Sequence, residues 1–154
     1  MNGADSDREP SPYLLNTDGG IDAEPGQPEG HASIGVVLTA PDGSLVHEVS
    51  AGIGWTRDHH VAEYEALITG LRLALGHGVL RIRVLLDSRL VVNQVNGDFK
   101  TGAEHLKPLW MSTHALMREF SNIKVLWVPR KQNGEADTLA DRALQPRQWG
   151  SKGS

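Results

Sequence analysis

Ten consecutive residues set the architecture of this chain: Val79-Leu80-Arg81-Ile82-Arg83-Val84-Leu85-Leu86-Asp87-Ser88. Apolar residues alternate with arginines and then become continuous, a pattern typical of a strand that enters the middle of a sheet. Asp87 falls where this strand ends, and ligand sites of α/β proteins form at that edge of the sheet. Taken alone, an Asp in this position is more often the N-cap of the following helix. Its role therefore depends on whether other carboxylates lie beside it.

The composition favours one small globular domain. The chain has 154 residues and no cysteine, which excludes disulfides and thiolate metal sites and makes a cytoplasmic location the default expectation. Since no apolar run approaches the roughly 20 residues of a membrane span, we expect no membrane association. We expect a monomer with a disordered acidic tail over residues 1–12, a folded domain over 13–145 and a flexible tail over 146–154.

Charge is distributed unevenly along the chain. The formal net charge is -4, which at first argues against a nucleic-acid partner. Up to Glu65, two basic residues face twelve acidic ones, whereas from Ala66 onward thirteen basic residues face seven acidic ones. The acidic N-terminal tail explains only a small part of this difference. A basic second half that lies along phosphates is therefore compatible with the sequence.

The remaining sequence predicts three strands, a helix, and then further strands and helices in alternation. Besides the opening strand, period-two patterns predict strands over residues 13–20, 32–39, 44–53 and 123–129. The second and third of these flank Pro41-Asp42-Gly43, which has the chemistry of a hairpin turn. Apolar residues at helical spacing predict helices over residues 60–75, 89–96, 106–120 and 134–144. The expected fold is α/β, with a five-stranded mixed sheet, an antiparallel meander followed by parallel strands, and helices on both faces.

Four carboxylates occur at related positions of these elements. Asp18 and Asp87 end two strands, while Glu63 and Asp137 lie in or near the first turns of helices that pack on the same sheet. An acid on the packing side of a helix is costly unless it is compensated, and clustered acids raise one another's pKa. A divalent cation reverses this repulsion, and all-oxygen ligands suit Mg²⁺ or Mn²⁺ rather than zinc. Two Mg²⁺ ions would balance the charge of the four carboxylates.

The sequence around each carboxylate resembles a motif of the type 1 ribonuclease H family. The four motifs are, in chain order, Thr17-Asp18-Gly19-Gly20, Ala62-Glu63, Leu86-Asp87-Ser88 and Ala136-Asp137-x-Leu139-Ala140. Each motif is weak alone. Together, in this order on a β-β-β-α-β-α-α-β-α pattern that spans Tyr13 to Leu144, they form a specific signal. The resemblance implies the ribonuclease H fold.

The resemblance also implies an activity, which is hydrolysis of the RNA strand of an RNA/DNA hybrid with two metal ions. The products would end in 5′-phosphate and 3′-hydroxyl. Contacts to 2′-hydroxyls in the wide minor groove would select RNA on one strand. Two alternatives remain open: a hybrid- or double-stranded-RNA-binding module with a vestigial nuclease site, and another nuclease, such as an exonuclease, on the same fold.

Roles for individual residues follow from the same resemblance. The four carboxylates would be both the catalytic residues and the ligands of two Mg²⁺ ions, for which Mn²⁺ could substitute, and Asp18 would bridge the two ions. The residues expected to contact the substrate are Gly19, Gly20, His59, His60, Ser88, Arg89, Arg130 and Lys131. Because Ser is itself a good cap, Ser88 is also a candidate to cap the helix in place of Asp87.

The chain departs from the family at several substrate-binding positions. His59 and His60 stand where the family usually has two asparagines, and they are either hybrid contacts or solvent-facing residues. The loop over residues 128–134 lacks the histidine of many members. Arg130 is its expected substitute, able to bind a phosphate but not to transfer a proton at neutral pH. The basic protrusion of some members is missing, and the loop over residues 22–26 is more acidic than usual.

Core packing is the expected role of most of the aromatic residues. Trp110, Phe120 and Trp127 lie in periodic elements, so burial explains them better than base stacking. Trp55 is expected in a loop beside Gly54 and Arg57, where either role is open.

Overall fold

The computed structural model describes residues 10–97, 99 and 103–153, with side chains described up to residue 144. Within these ranges the strands are β1 (Tyr13–Asp22), β2 (Gly30–Thr39), β3 (Leu45–Thr56), β4 (Arg81–Leu86) and β5 (Asn122–Trp127). The helices are α1 (His59–Gly76), α2 (Arg89–Val95), α3 (Lys107–Met117) and α4 (Gly134–Gly153). Short 3₁₀ turns at Glu104–Leu106 and Arg130–Asn133 precede α3 and α4. The element order expected from the sequence is confirmed.

The strands form one mixed sheet in the order β3-β2-β1-β4-β5. β2 is antiparallel to both β1 and β3, whereas β4 is parallel to both β1 and β5. Because β1 and β4 are parallel neighbours, their carboxyl ends meet at one edge of the sheet. This arrangement confirms the predicted five-stranded mixed sheet. Asp18 does not end β1 as expected, because β1 continues to Asp22 in its pairing with β2; its parallel pairing with β4 ends at Asn16, so Asp18 and Asp87 both follow the last paired residues of the two strands.

The main hydrophobic core lies between the sheet and the helices α1, α2 and α3. Tyr64, Leu67 and Leu71 of α1 are completely buried in it. Gln94 of α2 connects the three helices, since its side chain accepts a hydrogen bond from the Tyr64 hydroxyl at 2.7 Å. Its backbone oxygen accepts one from Trp110 Nε1 of α3 at 2.8 Å. Buried apolar side chains therefore hold α1 on the sheet, and the two hydrogen bonds of Gln94 link it to α2 and α3.

Helix α4 packs on the other face of the sheet. A smaller apolar cluster, formed by Val37, Ala136 and Leu139, lies beneath it. Two serine hydroxyls of the sheet donate hydrogen bonds to backbone oxygens of this helix. Ser33 Oγ lies 2.7 Å from the oxygen of Ala140, and Ser50 Oγ lies 2.6 Å from that of Leu139. Hydrogen bonds therefore supplement a modest apolar contact on this face.

Two expectations about aromatic residues are wrong. Trp55 lies in β3 rather than in a loop, and its ring is 4.4 Å from that of His31 on the paired strand. Phe120 is buried and Trp110 is partly buried in the main core, but Trp127 is 36% exposed. Trp127 ends β5, an edge strand of the sheet, and edge strands are covered less completely than central ones.

The chain termini differ in how far the structure describes them. Residues 1–9 of the predicted N-terminal tail lie outside the described part of the chain. The backbone of α4 stays helical to Gly153, although the sequence predicts a helix end at Leu144, since most residues beyond it tolerate helical geometry. The flexibility of both tails stays a prediction. No helix in the described ranges is long and apolar enough to cross a membrane.

Candidate active site

One cleft at the carboxyl ends of β1 and β4 contains the four predicted carboxylates. Its volume is about 510 Å³, and every residue that the sequence suggested for the site lines it except Lys131. Lys131 instead lines a neighbouring depression with Asn16 and Gln132. The cleft is also lined by three residues that were not predicted, Ile21, Leu90 and Asp141.

Gly19 allows α1 to pack directly on β1 beside Asp18. A Cβ atom at this position would collide with the backbone of Ala62 and Glu63. The missing side chain thus brings Glu63 next to Asp18. Gly19 lines the cleft as predicted, and this close approach is a packing reason for glycine that is independent of any substrate contact.

Gly35 plays the corresponding part on the other face. It pairs with Asp18 across β1 and β2, and a Cβ atom there would collide with the backbone of Ala136. Paired residues point to the same face of a sheet, and consecutive residues point to opposite faces. Gly35 therefore faces the side opposite to Gly19, and α1 and α4 approach Asp18 from opposite sides. Sequence reasoning missed Gly35, although a glycine inside a strand often indicates a close backbone approach. The contact places Asp137 beside Asp18.

Asp18 is the electrostatic centre of the cluster. Burial and repulsion from Asp87 raise the pKa of Asp18 to about 9, and a hydrogen bond with Asp137 and the charges of Asp137 and Glu63 add to this effect. Burial also raises the pKa of Glu63 to about 7, although a hydrogen bond from Ser88 opposes the change. In the absence of a cation, the cluster therefore retains protons at neutral pH.

This donor set fits divalent cations that prefer oxygen ligands. The converging groups are carboxylates, and a cation would remove the repulsion that raises the pKa of Asp18. Asp141 adds a further carboxylate to the lining of the cleft, one helical turn after Asp137 on α4. The sequence contained a signal for Asp141, because residues four apart share a helix face.

Ser88 and His59 contact Glu63 from two sides. The Ser88 hydroxyl donates to the Glu63 carboxylate and accepts a hydrogen bond from the backbone nitrogen of Val91 at 3.2 Å. Ser88 is therefore the N-cap of α2, and the side chain of Asp87 is available to the cluster. His59 Nε2 lies 3.3 Å from Glu63 Oε1, one helical turn away. Both residues orient Glu63 in the cleft.

Arg89 lies on the indole ring of Trp127 at the rim of the cleft. Its guanidinium carbon is 3.7 Å from the ring centroid, a distance typical of cation–π contacts. Trp127 Nε1 also donates to the backbone oxygen of Asp87 at 3.2 Å. Trp127 therefore connects the ends of β4 and β5 and fixes a cation beside the carboxylates. Trp127 is the last residue of β5, and a residue at the carboxyl end of a strand is a candidate for the site. The prediction that Trp127 belongs to the core overlooked this signal.

The 3₁₀ turn before α4 contributes a cation and an anchor. Arg130 Nη2 lies 3.4 Å from both carboxylate oxygens of Asp137, and the Arg130 side chain is 76% exposed. Asn133 is buried, donates to the backbone oxygen of Thr17 at 2.8 Å and accepts from Asn16 Nδ2 at 3.1 Å. Asn133 thus joins the start of α4 to the residue before Asp18, a contact between distant segments that the sequence did not indicate.

Asp58 organises the histidines at the start of α1. Its Oδ1 accepts a hydrogen bond from the backbone nitrogen of His60 and lies 2.9 Å from His60 Nδ1, while its Oδ2 lies 2.7 Å from His105 Nε2. Burial raises the pKa of Asp58, but hydrogen bonds from His60 and His105 outweigh burial and lower the pKa below its usual value. His59 and His60 therefore make different contacts, one with Glu63 and the other with Asp58.

Sequence comparisons place the chain among known proteins. Residues 16–143 match the family model described as reverse transcriptase-like. The chain is 38% identical over 131 residues to the bifunctional protein Rv2228c of Mycobacterium tuberculosis. This match covers 85% of this chain and 35% of that protein. It is 36% identical over 115 residues to ribonuclease HI of Halobacterium salinarum, which covers 75% of this chain and 57% of that protein. The chain thus spans about a third of the mycobacterial relative and rather more than half of the archaeal one.

Solved structures agree with this placement. RNase H1 from Halobacterium salinarum superposes with a TM-score of 0.79 at 33% identity, over 88% of this chain and 99% of that one. LC11-RNase H1 in complex with an RNA/DNA hybrid superposes with a TM-score of 0.78 at 35% identity, over 88% and 99% of the two chains. The match to the family model, the near-complete coverage of these structures and the convergence of the four carboxylates agree, and the chain therefore belongs to the type 1 ribonuclease H family.

Proposed function

We propose that this chain is an endonuclease that hydrolyses the RNA strand of RNA/DNA hybrids with two Mg²⁺ ions, for which Mn²⁺ can substitute, and leaves 5′-phosphate and 3′-hydroxyl ends. The observation that carries the proposal is the convergence of Asp18, Glu63, Asp87 and Asp137 in one cleft. The similarity to LC11-RNase H1, which was solved with an RNA/DNA hybrid, supports the substrate class.

The four carboxylates are the proposed cation ligands. When bound, the ions would activate the attacking water and stabilise the leaving 3′ oxygen. Asp18 interacts with each of the other three carboxylates, so it is the residue best placed to be shared between two ions. The raised pKa values of Asp18 and Glu63 support this role, because bound cations would favour the ionised form of both groups.

Other residues of the chain orient these ligands. Ser88 and His59 hold the Glu63 carboxylate in the cleft through the contacts described above. Asn133 and Gly35 hold the start of α4, and hence Asp137, against β1 and β2. Catalysis then depends on ligands that are already positioned before the substrate binds, which reduces reorganisation in the transition state.

Substrate binding is proposed for the rim of the cleft. Arg89, held on Trp127, and the exposed Arg130 are cations that can bind backbone phosphates on either side of the acidic floor. The backbone of Gly19 and Gly20 and the rings of His59 and His60 are proposed to contact the minor groove, where 2′-hydroxyls distinguish RNA from DNA. Lys131, outside the cleft, would bind phosphate farther along the hybrid.

A cleavage assay tests the proposal directly. Labelled RNA/DNA hybrid, duplex RNA and duplex DNA are each incubated with the protein in Mg²⁺, Mn²⁺ or EDTA, beside Asp87→Asn. Internal cleavage of the RNA strand of the hybrid is expected only with metal, and Asp87→Asn should abolish it. Asp42→Asn is the matched control, because this carboxylate lies in the exposed β2–β3 turn and should not affect cleavage.

Three outcomes of the assay would contradict the proposal. Hybrid binding without metal-dependent cleavage would indicate a binding module with a vestigial site. Release of mononucleotides from one end of the RNA strand would indicate an exonuclease. Cleavage of duplex RNA at a comparable rate would overturn the substrate assignment.

We also propose that the protein acts as a cytoplasmic monomer. The lack of cysteine is compatible with a reducing compartment, and the four carboxylates converge without needing a residue from a second copy. Light scattering coupled to size-exclusion chromatography should give the mass of one chain. A dimeric mass would contradict this part of the proposal.

A further inference from the structure

Asp58, His59 and His60 form a mixed cluster beside the catalytic carboxylates. Each residue offers one potential ligand atom, and the three atoms lie within 4.8 Å of one another. Asp58 Oδ1 lies 2.9 Å from His60 Nδ1 and 4.0 Å from His59 Nδ1. Capping of the helix α1 explains a carboxylate at position 58, but it does not explain why the rings of His59 and His60 lie beside it.

A fourth group from a distant part of the chain orients this cluster. His105, in the 3₁₀ turn before α3, places Nε2 2.7 Å from Asp58 Oδ2. The other oxygen of Asp58 accepts a hydrogen bond from the backbone nitrogen of His60, which caps α1. The carboxylate is therefore fixed from both sides, as the ligands of protein metal sites are by their hydrogen-bond partners.

We propose that Asp58, His59 and His60 bind a divalent transition-metal ion of the zinc type, with His105 as the residue that orients Asp58. Two imidazoles and one carboxylate are a ligand set that Zn²⁺ accepts in open sites, where water completes the coordination. Mg²⁺ prefers sites made of oxygen alone. The chain would thus carry two neighbouring sites with different cation preferences, and the second does not rest on the proposed nuclease activity. An ion held there would engage ring nitrogens of His59 and His60 in place of the minor-groove contacts proposed for them.

This site would be coupled to the catalytic cleft through His59. Its Nδ1 faces Asp58, while its Nε2 lies 3.3 Å from Glu63 Oε1. A metal ion on one nitrogen of a neutral imidazole leaves the proton on the other nitrogen. Coordination through Nδ1 therefore makes Nε2 a hydrogen-bond donor to Glu63 and holds that carboxylate in place.

Calorimetric titration with Zn²⁺ tests the site. The full chain carries Asp18→Asn, which removes the central group of the carboxylate cluster, and should bind one Zn²⁺ ion. Adding Asp58→Asn should weaken binding by at least about tenfold, and His105→Ala by about tenfold, the usual effect of losing an orienting partner. Asn is as good an N-cap as Asp, so Asp58→Asn keeps α1 capped and separates loss of a ligand from loss of the helix.

The chain supplies its own control for unspecific binding to histidines. His77 Nε2 lies 3.3 Å from His47 Nδ1 at the far end of α1, and both rings are exposed. His77→Ala should leave the Zn²⁺ affinity unchanged, and Zn²⁺ should shift the ring nitrogen NMR signals of His59 and His60 but not those of His47. Unchanged affinity in Asp58→Asn, loss of binding in His77→Ala or equal competition by Mg²⁺ would overturn the proposal.

Discussion

The two faces of the sheet hold the proposed catalytic carboxylates by different means. On one face, α1 carries Glu63 and lies in the main core together with α2 and α3. On the other face, α4 carries Asp137 above a smaller apolar cluster and is joined to the sheet by serine and asparagine hydrogen bonds. Both helices touch the sheet at a glycine.

This difference separates folding stability from the geometry of the site. Large apolar burial makes α1 a main contributor to the free energy of unfolding, whereas individual polar contacts contribute only about 1 kcal/mol each. Changes under α4 should therefore displace Asp137 while the fold persists, whereas equivalent changes under α1 should destabilise the whole domain together with Glu63.

Gly35→Val should strongly reduce catalysis, at a smaller cost in folding than the equivalent change at Gly19. The added side chain would meet the backbone of Ala136, so α4 must move and take Asp137 with it. Displacement of a catalytic group by 1 Å can reduce the rate about a hundredfold, so kcat for hybrid cleavage should fall by at least about that factor. Gly19→Val should reduce kcat similarly, but it should also lower the free energy of unfolding more.

The two valine variants need a control in which an added side chain meets no other atom. Gly76→Ala, at the end of α1, adds a Cβ atom with open space around it and should preserve both kcat and stability. Chemical denaturation and steady-state cleavage would be measured on the same preparations. Equal losses of stability in the two valine variants would contradict the proposed difference between the faces.

Without bound metal, the free energy of unfolding should fall as pH rises. The cause is the carboxylate cluster around Asp18, to which both faces of the sheet contribute. The folded state raises the pKa of Asp18 from 3.8 to about 9 and that of Glu63 from 4.5 to about 7. Between the unfolded and folded values, the folded state binds more protons than the unfolded state, so the free energy of unfolding decreases with increasing pH. Urea denaturation in EDTA at several pH values should show a decline from about pH 4 to about pH 9.

Two changes should reduce this decline. Asp18→Asn removes the group with the larger shift, and saturating Mg²⁺ neutralises the cluster. Asp42→Asn, in the exposed turn, should leave this decline unchanged, because hydrogen bonds from Ser44 lower the pKa of Asp42 and keep its titration below this pH range. Stability that instead increased with pH across this range would show that burial and mutual repulsion do not raise the pKa values of Asp18 and Glu63.

The sequence predicted the elements and the four carboxylates because both depend on local patterns. Alternation identifies the strands, and the end of β4 identifies the edge on which Asp87 lies. Asp18 lies just past the pairing of β1 with β4, although β1 itself continues to Asp22. Helical spacing places Glu63 beside the packing face of α1. Ser88 could be recognised as a cap from residue type alone, and the structure confirms that it caps α2.

The contacts that the sequence did not reveal join distant segments. Gly35 matters because of Ala136, and Asn133 because of Thr17, and neither partner is adjacent in the chain. Trp127 satisfies the local pattern of a core residue, but its location on an edge strand depends on the order of the whole sheet. Local patterns therefore predict which residues form the site better than they predict what holds them.

Asn133→Ala should have an intermediate effect, mainly on α4. The buried Asn133 side chain is the donor to the backbone oxygen of Thr17, and loss of a partner for a buried polar group costs about 1–3 kcal/mol. Urea denaturation should show this loss, and kcat should fall because the start of α4 is no longer tied to β1. Gln132→Ala, on the exposed neighbouring residue, is the matched control. Parental kcat in Asn133→Ala would show that the Gly35 contact alone positions Asp137.

Ser33→Ala and Ser50→Ala should have the smallest effects and test whether the polar contacts under α4 add up. Each variant loses one hydrogen bond to α4, worth about 1 kcal/mol, and Ser50→Ala should cost less because Ser50 is exposed and water can replace it. The double variant should lose more than the sum, because the two acceptors belong to adjacent residues of α4 and each hydrogen bond holds the same turn in place. It should also need more Mg²⁺ for half-maximal cleavage, since Asp137 is held less firmly. Ser44→Ala removes a hydrogen bond to Asp42 in the exposed turn, away from α4, and should leave the Mg²⁺ requirement unchanged. If the double variant keeps its parental Mg²⁺ requirement while its stability falls, the serines stabilise α4 without positioning its carboxylate.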